Sequence, residues 1–272
     1  MIQLTCKSTA LILTLAMAAF PQAPTQQTAP PQTPSAQTGP SQTAPAQTAP
    51  NPNDEREQDR LQHAGKVLGE ILNGPYVGLQ FALDRAECVI VLPGVIKGSG
   101  NLFTLFWGGS FGRGAMTCRS GPHFDGPWGA PTMVALEGVS WGLEAGGESV
   151  DILITVMNPD GANSILTSKV KLGGNASAAA GPVGRDTAAE EDVILHSEML
   201  TFARAKGVFA GAALTGSTLR ADGPANTKLY GHHVNAKDVV LHGAEKPPDA
   251  AKLLLDTLNQ RSPKNLSAAK NR

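Results

Sequence analysis

The chain has 272 residues, 41% of them hydrophobic, with 22 basic and 23 acidic side chains and a formal net charge of −1. Without Lys7, which falls in a leader-like start, 21 basic residues face 23 acidic ones, a net charge of −2. That balance argues against a non-specific nucleic-acid binder, which needs a cationic surface. It also means that attraction to a membrane has to come from a local patch.

Lys7 precedes the apolar run Ala10 to Phe20 (ALILTLAMAAF), which contains the small-residue site Ala16-Met17-Ala18. This is the pattern of a secretory signal peptide, and the run is about half the length that a bilayer span needs. Residues 1–20 are therefore expected to act as a signal peptide, with a short membrane anchor as the alternative, and the mature protein is expected in the periplasm or outside the cell. Residues 21–53 carry no charge until Asp54, and Gln27, Gln32, Gln37, Gln42 and Gln47 recur in a degenerate Q-T-A-P-x pattern. Such a segment has too little apolar area to offset ordering and reads as an extended, disordered tether. In polyproline conformation it would reach on the order of 100 Å.

Residues 54–262 are long enough for one domain with a core. A helix is expected from about Asp54 to Leu72, because Leu61, Ala64, Leu68, Ile71 and Leu72 share one helical face and acidic residues crowd its first turn. Asn73-Gly74-Pro75 ends it, and a shorter helical piece follows over Val77 to Ala86. Strands are then expected at Cys88 to Leu92, Asn101 to Trp107, Gly114 to Arg119, Pro131 to Leu136, Ser140 to Ala145 and Val150 to Met157. Glycines punctuate each junction at the spacing of an antiparallel meander, with Gly108 to Gly114 as a strand-turn-strand connection. Val150 to Met157 is apolar on both faces, as a central strand should be.

Asn158-Pro159-Asp160 starts a short helix that ends near Ser168. Strand-like sequence runs from Lys169 to Leu219, and Ala251, Leu254, Leu255 and Leu258 form a final helical stripe. The fold class is α+β with β dominant: an antiparallel, barrel-like sheet core and peripheral helices at both ends. Residues 263–272 read as a flexible tail.

Within the strand-like stretch, Gly173 to Arg185 (GGNASAAAGPVGR) holds nothing bulkier than Asn, Pro or Val before its Arg. Such density of small residues marks close backbone packing, or a loop that a ligand can approach. Cys88 and Cys118 each lie in a strand-like segment of a chain expected to meet an oxidising compartment. They read either as a disulfide or as two buried thiols.

No phosphate-binding P-loop is present, and no serine nucleophile is assigned. His232 and His233 are adjacent and would point to opposite faces of a strand. His123, His196 and His242 have no metal-ligand spacing. No cofactor or metal is expected. The cations Lys97, Arg113, Arg119, Lys169, Lys171, Arg185, Arg204 and Lys206 all flank glycine-rich turns or strand ends. They read either as a convergent anion site or as dispersed surface charge.

Several blocks then match a known pattern in order and spacing from about Val67 to Leu258. They are AECVIVLPGVIKGSG (Ala86 to Gly100), GGSFGRGAMTCR (Gly108 to Arg119), Trp128 to Asn158, KVKLGGNASAAAGPVGRD (Lys169 to Asp186) and RAKGVFAGAALTGSTLRAD (Arg204 to Asp222). The chain resembles the SYLF domain family of lipid-binding proteins. The resemblance implies a β-rich domain without catalytic activity. Eukaryotic relatives bind phosphoinositides, and some bind actin. The layout of signal plus tether is that of exported bacterial relatives, for which actin is not an expected partner.

The expected function is a non-enzymatic module recognising anionic head groups at a membrane surface, with Arg185, Arg113, Arg119, Arg204 and Lys97 as candidate contacts. The alternative is a protein-interaction module of the cell envelope. One departure from some relatives is that Asp54, Glu55, Glu57, Asp59 and Glu70 outnumber Arg56, Arg60 and Lys66 in the first helix. That helix is repelled by an anionic bilayer, so a lipid contact is expected on the cationic loops.

Overall fold

In the computed structural model the described residues are 52–76, 78–98, 107–141, 148–172, 178–180, 197–205, 208–211, 214 and 216–267. The expected signal peptide, and the tether up to residue 51, lie outside them. So does most of the Gly173 to Arg185 segment.

Nine strands form one sheet: β1 (Cys88–Gly98), β2 (Trp107–Cys118), β3 (Thr132–Trp141), β4 (Glu148–Val156), β5 (Val170–Lys171), β6 (Ala178–Ala180), β7 (Met199–Ala205), β8 (Val208–Gly211) and β9 (Ser217–Ala221). The strand order is β5-β9-β3-β2-β1-β4-β7-β6, and β8 also pairs with β7. Every pairing is antiparallel except β6 with β7, which is parallel. The helices are α1 (Pro52–Leu72), α2 (Leu79–Arg85), α3 (Pro159–Thr167), α4 (Gly223–Tyr230), α5 (Ala236–His242) and α6 (Lys252–Arg261). The chain is thus α+β, a sheet core with helices at both ends, as the sequence predicts.

The sheet is covered on both faces. On the first face Val89, Val91, Ala115, Met133, Leu153, Leu200 and Phe202 pack with the buried stripe of α1 (Leu61, Ala64, Val67, Leu68, Ile71) and with Leu254, Leu255 and Leu258 of α6. On the second face Ile90, Leu92, Met116, Val134, Leu136, Ile152 and Ile154 pack against Ala162 and Ile165 of α3 and Val239 and Val240 of α5. Strands buried on both sides lose polar alternation, which explains the unbroken apolar reading of Val150 to Val156. Asn158 caps α3 by accepting a hydrogen bond from Gly161 N at 2.7 Å, the role the Asn-Pro-Asp start predicts.

The glycines carry the main correction. Expected turns at Pro93-Gly94 and Gly108 to Gly114, and the break between Leu136 and Ser140, all lie inside continuous strands. A bulge absorbs Pro93-Gly94, where the β1–β2 register shifts between Val91 and Ile96. A Cβ on Gly114 would lie 1.9 Å from the carbonyl oxygen of Val91, and one on Gly138 would lie 2.7 Å from Cα of Ser217. These glycines admit a neighbouring strand; they do not reverse the chain. Helices α4 and α5 are absent from the sequence reading, although Asp222 and Asn235 cap them by accepting from Ala225 N and Lys237 N.

Cys88 and Cys118 are direct cross-strand partners in β1 and β2, and the structure joins them as a disulfide. Just beyond it, Arg119 is fully buried. Its backbone N–H donates to Glu87 O at 2.9 Å. Its Nε donates to Ala86 O at 3.2 Å and its Nη2 to Ser262 Oγ at 2.6 Å. Its guanidinium lies 4.3 Å above the Trp128 ring, and Trp128 Nε1 donates to Ser262 O at 3.0 Å.

Glu87, also buried, accepts from Asn265 Nδ2 at 2.8 Å and Ser267 Oγ at 2.9 Å. Leu266 N donates to Asp84 O at 2.7 Å. Where the sequence reading places a flexible tail from residue 263, the segment Ser262 to Ser267 is therefore tied to α2, β1 and the loop after β2. Burial lowers the Arg119 pKa to about 10, against the opposing fields of Asp84 and Glu87. Burial raises that of Glu87, against its hydrogen bonds and Arg119.

Replacing Arg119 by Met removes its bonds to Ala86 O and Ser262 Oγ and should cost about 1–3 kcal/mol in a urea titration. A loss below about 1 kcal/mol would remove Arg119 from its central place. Because the Glu87 pKa is raised in the fold, the folded state holds this proton more tightly than the unfolded chain. Its contribution therefore falls as pH rises from the ordinary carboxylate value of 4.5 through the raised one. The urea midpoint of Glu87→Gln, compared with wild type across that window, should lack this downward component. The Cys88→Ala/Cys118→Ala pair opens a loop spanning 30 positions and should lose about 3 kcal/mol, seen as a lower thermal midpoint.

Candidate functional site

The sheet register shows where the nominated cations stand. Arg113 of β2 pairs with Ala135 of β3, which pairs with Arg220 of β9. Asp151 of β4 pairs with Arg204 of β7. Alternation along each strand puts Arg113, Arg220, Asp151 and Arg204 on the first face, one rung beyond the apolar row that α1 covers. Arg113 and Arg204 are separated by three strand spacings, about 14 Å. One phosphate cannot bridge them, so these cations form a row and not a convergent pocket.

Each is also paired. Arg204 binds Asp151 at 2.7 Å and Glu70 of α1, and its pKa is held above the ordinary value chiefly by the hydrogen bond to Asp151. Asp151 Oδ1 in turn accepts from Gly94 N at 2.9 Å, within the β1 bulge. Arg204 thus fastens the end of α1 to the sheet. Arg220 binds Glu137 at 2.5 Å.

Arg113 differs. Only its Nε approaches a carboxylate, Asp222 Oδ2 at 3.3 Å, and its side chain is 46% exposed over an aspartate that is 4% exposed. Asp222 is committed below through its cap on α4. An exposed guanidinium above a buried carboxylate can still take a phosphate or carboxylate from solvent.

Arg119 cannot serve as a head-group contact in this fold. Its guanidinium is buried among Ala86, Trp128 and Ser262, and the position next to Cys118 that made it look like a strand-end cation places it inside. Lys97 sits in β1 opposite Ser110 and Glu148, and its side chain lies outside the described residues. Arg185 and Lys206 lie outside them altogether. Lys171 of β5 is exposed. It pairs with Thr218, itself opposite Glu137, and so joins the first face. Gly108 to Gly112 spells G-x-S-x-G, but it runs within β2 and not at a strand-to-helix turn, so it is no nucleophile elbow.

The sequence reading missed Ile96 and Phe111. They are direct cross-strand partners and stand 60% and 59% exposed. They stand two rungs past the row that α1 covers.

Comparison with known proteins bears on the whole domain. The Ysc84 family, described as "Las17-binding protein actin regulator", matches residues 137–261. Protein YSC84 of Saccharomyces cerevisiae is 30% identical over 221 residues, covering 78% of this chain and 45% of its own length. LAS seventeen-binding protein 3 of the same yeast is 28% identical over 222 residues, covering 78% and 46%. The human SH3 domain-containing YSC84-like protein 1 is 30% identical over 223 residues, covering 78% and 62%. The chain spans about half the length of these yeast relatives. The match to residues 137–261, with relatives about 30% identical over 78% of the chain, identifies a Ysc84/SYLF-type domain in this chain.

Proposed function

We propose that this domain is a non-enzymatic module that binds anionic lipid head groups at a membrane surface, outside the cytoplasm. The observation that carries the reading is Arg113. It is nearly half exposed on the first face, and its carboxylate partner Asp222 lies buried beneath it. A charge-assisted bidentate contact to a phosphate fits that geometry. Arg185 is the second contact in this reading, from the block of small residues on which the resemblance rests most heavily. The apolar start of residues 1–20 supports export, with residues 21–53 as a spacer.

A second reading follows from the relatives' names, which describe Las17 binding and actin regulation. Here the domain would hold a protein partner, in the cell envelope if the chain is exported. Export would separate it from actin.

Vesicle co-sedimentation distinguishes the two. The full chain should bind phosphatidylcholine vesicles containing phosphatidylglycerol and leave pure phosphatidylcholine vesicles in the supernatant. Binding should weaken as salt rises. Arg113→Ala and Arg185→Ala should each weaken it about fivefold, corresponding to about 1 kcal/mol per cation at an anionic surface. Equal binding to both kinds of vesicle, or no loss in either variant, would overturn the lipid reading.

A further inference from the structure

We propose that the domain docks on the membrane through the uncovered end of its first sheet face, with Ile96 and Phe111 entering the bilayer interface and Arg113 and Lys171 at the level of the phosphates. The proposal rests on the lipid reading above and adds the orientation and the apolar anchors.

The register defines the surface. Lys171, Thr218, Glu137, Phe111, Ile96 and Ser149 follow one another across β5, β9, β3, β2, β1 and β4, all on the first face. Five strand spacings make that row about 24 Å wide. The next row toward α1 holds Arg220, Arg113, Asp151 and Arg204, and the row after that is buried under the helices. Two large apolar side chains that are direct cross-strand partners, each about 60% exposed, form the centre of a surface bordered by Arg113, Ser149 and the Arg220–Glu137 ion pair, with Lys171 at its edge.

Among described residues only four large hydrophobic side chains are this exposed, and the other two, Leu253 and Leu266, stand on α6 and in the C-terminal segment.

Charge favours a membrane as the occupant over a protein. Asp222 is buried beneath Arg113, and Asp151 and Glu70 are consumed by Arg204. Lys171 has no carboxylate partner among the described residues. What projects from the face is therefore apolar at the centre and cationic at Arg113 and Lys171, with Glu137 held by Arg220. Apolar groups that enter the acyl boundary beside cations that meet head-group phosphates form the pattern of interfacial binding.

The test separates the apolar contribution from the electrostatic one. Phe111→Ser and Ile96→Ser should each lower partition of the full chain onto phosphatidylcholine–phosphatidylglycerol vesicles about fivefold, from partial burial of one large apolar side chain. That loss should persist at high salt, where the effect of Arg113→Ala shrinks. Leu253→Ser, a change at an apolar side chain on α6 that is 45% exposed, should leave binding as it is. All four positions are exposed, and an unchanged thermal midpoint confirms that each variant folds.

If the wild type binds anionic vesicles and the Phe111 and Ile96 variants bind equally well, the docking face is wrong and the lipid reading stands. If the wild type binds no vesicle at all, both fall. If Leu253→Ser weakens binding as much as Phe111→Ser does, the proposed orientation is overturned.

Discussion

A buried arginine sets the terms for one end of this domain. Taking a guanidinium out of water costs several kcal/mol unless its donors and charge are met. Arg119 offsets much of that cost by recruiting three stretches of chain distant in sequence: Ala86 and Glu87 before β1, Trp128 in the loop after β2, and the segment after α6, through Ser262 and, by way of Glu87, Asn265 and Ser267; its Nη1 has no partner among the described residues. None of these can shift alone without leaving a charge or a donor stranded. The Cys88–Cys118 disulfide lies one residue inward and fixes the strands from which Glu87 and Arg119 project. Covalent and electrostatic constraints therefore act at the same end of the same strand pair.

Much of the architecture could be read from the chain because each element has one dominant cause. The stripe through Leu61, Leu68 and Ile71 yields α1, and the cap at Asn158 with Pro159 yields α3. Glycine had two causes, and the sequence does not separate them. Gly94 has a positive φ of 59° and belongs to a bulge. Gly114 and Gly138 are in strands because any Cβ would collide with the neighbouring chain. Reading all three as turns divided β2 and β3 and shortened β1. Helix α4 was hidden because its cap Asp222 follows β9 directly, and α5 because only a short connection separates it from α4.

The candidate site was legible only in part, for a related reason. A cation beside a glycine looks the same in sequence whether its side chain faces solvent or the core. Strand alternation decides it: Arg113 stands on the first face in the uncovered rung, whereas Arg119 lies past the end of the strand, where the chain turns under Trp128. The carboxylates that neutralise Arg204 and Arg220 are cross-strand or from α1, far away in sequence, so pairing could not be anticipated from spacing. Ile96 and Phe111 were overlooked because an apolar residue in a strand is ordinarily assigned to the core.

The two ends of the strand pair β1–β2 are treated in opposite ways. At the Cys88–Cys118 end, every strong polar group is drawn inward and the C-terminal segment closes over it. At the Ile96–Phe111 end, α1 stops short: its last turn is fastened by Glu70 to Arg204, which holds the helix layer back from the next rung. Asn73-Gly74 follows Leu72, and the chain leaves toward α2. The ion pair at that point anchors the helix layer to β7 and leaves Ile96 and Phe111 exposed two strands away. A sheet face that is locked at one end and uncovered at the other has only one end free to meet a partner.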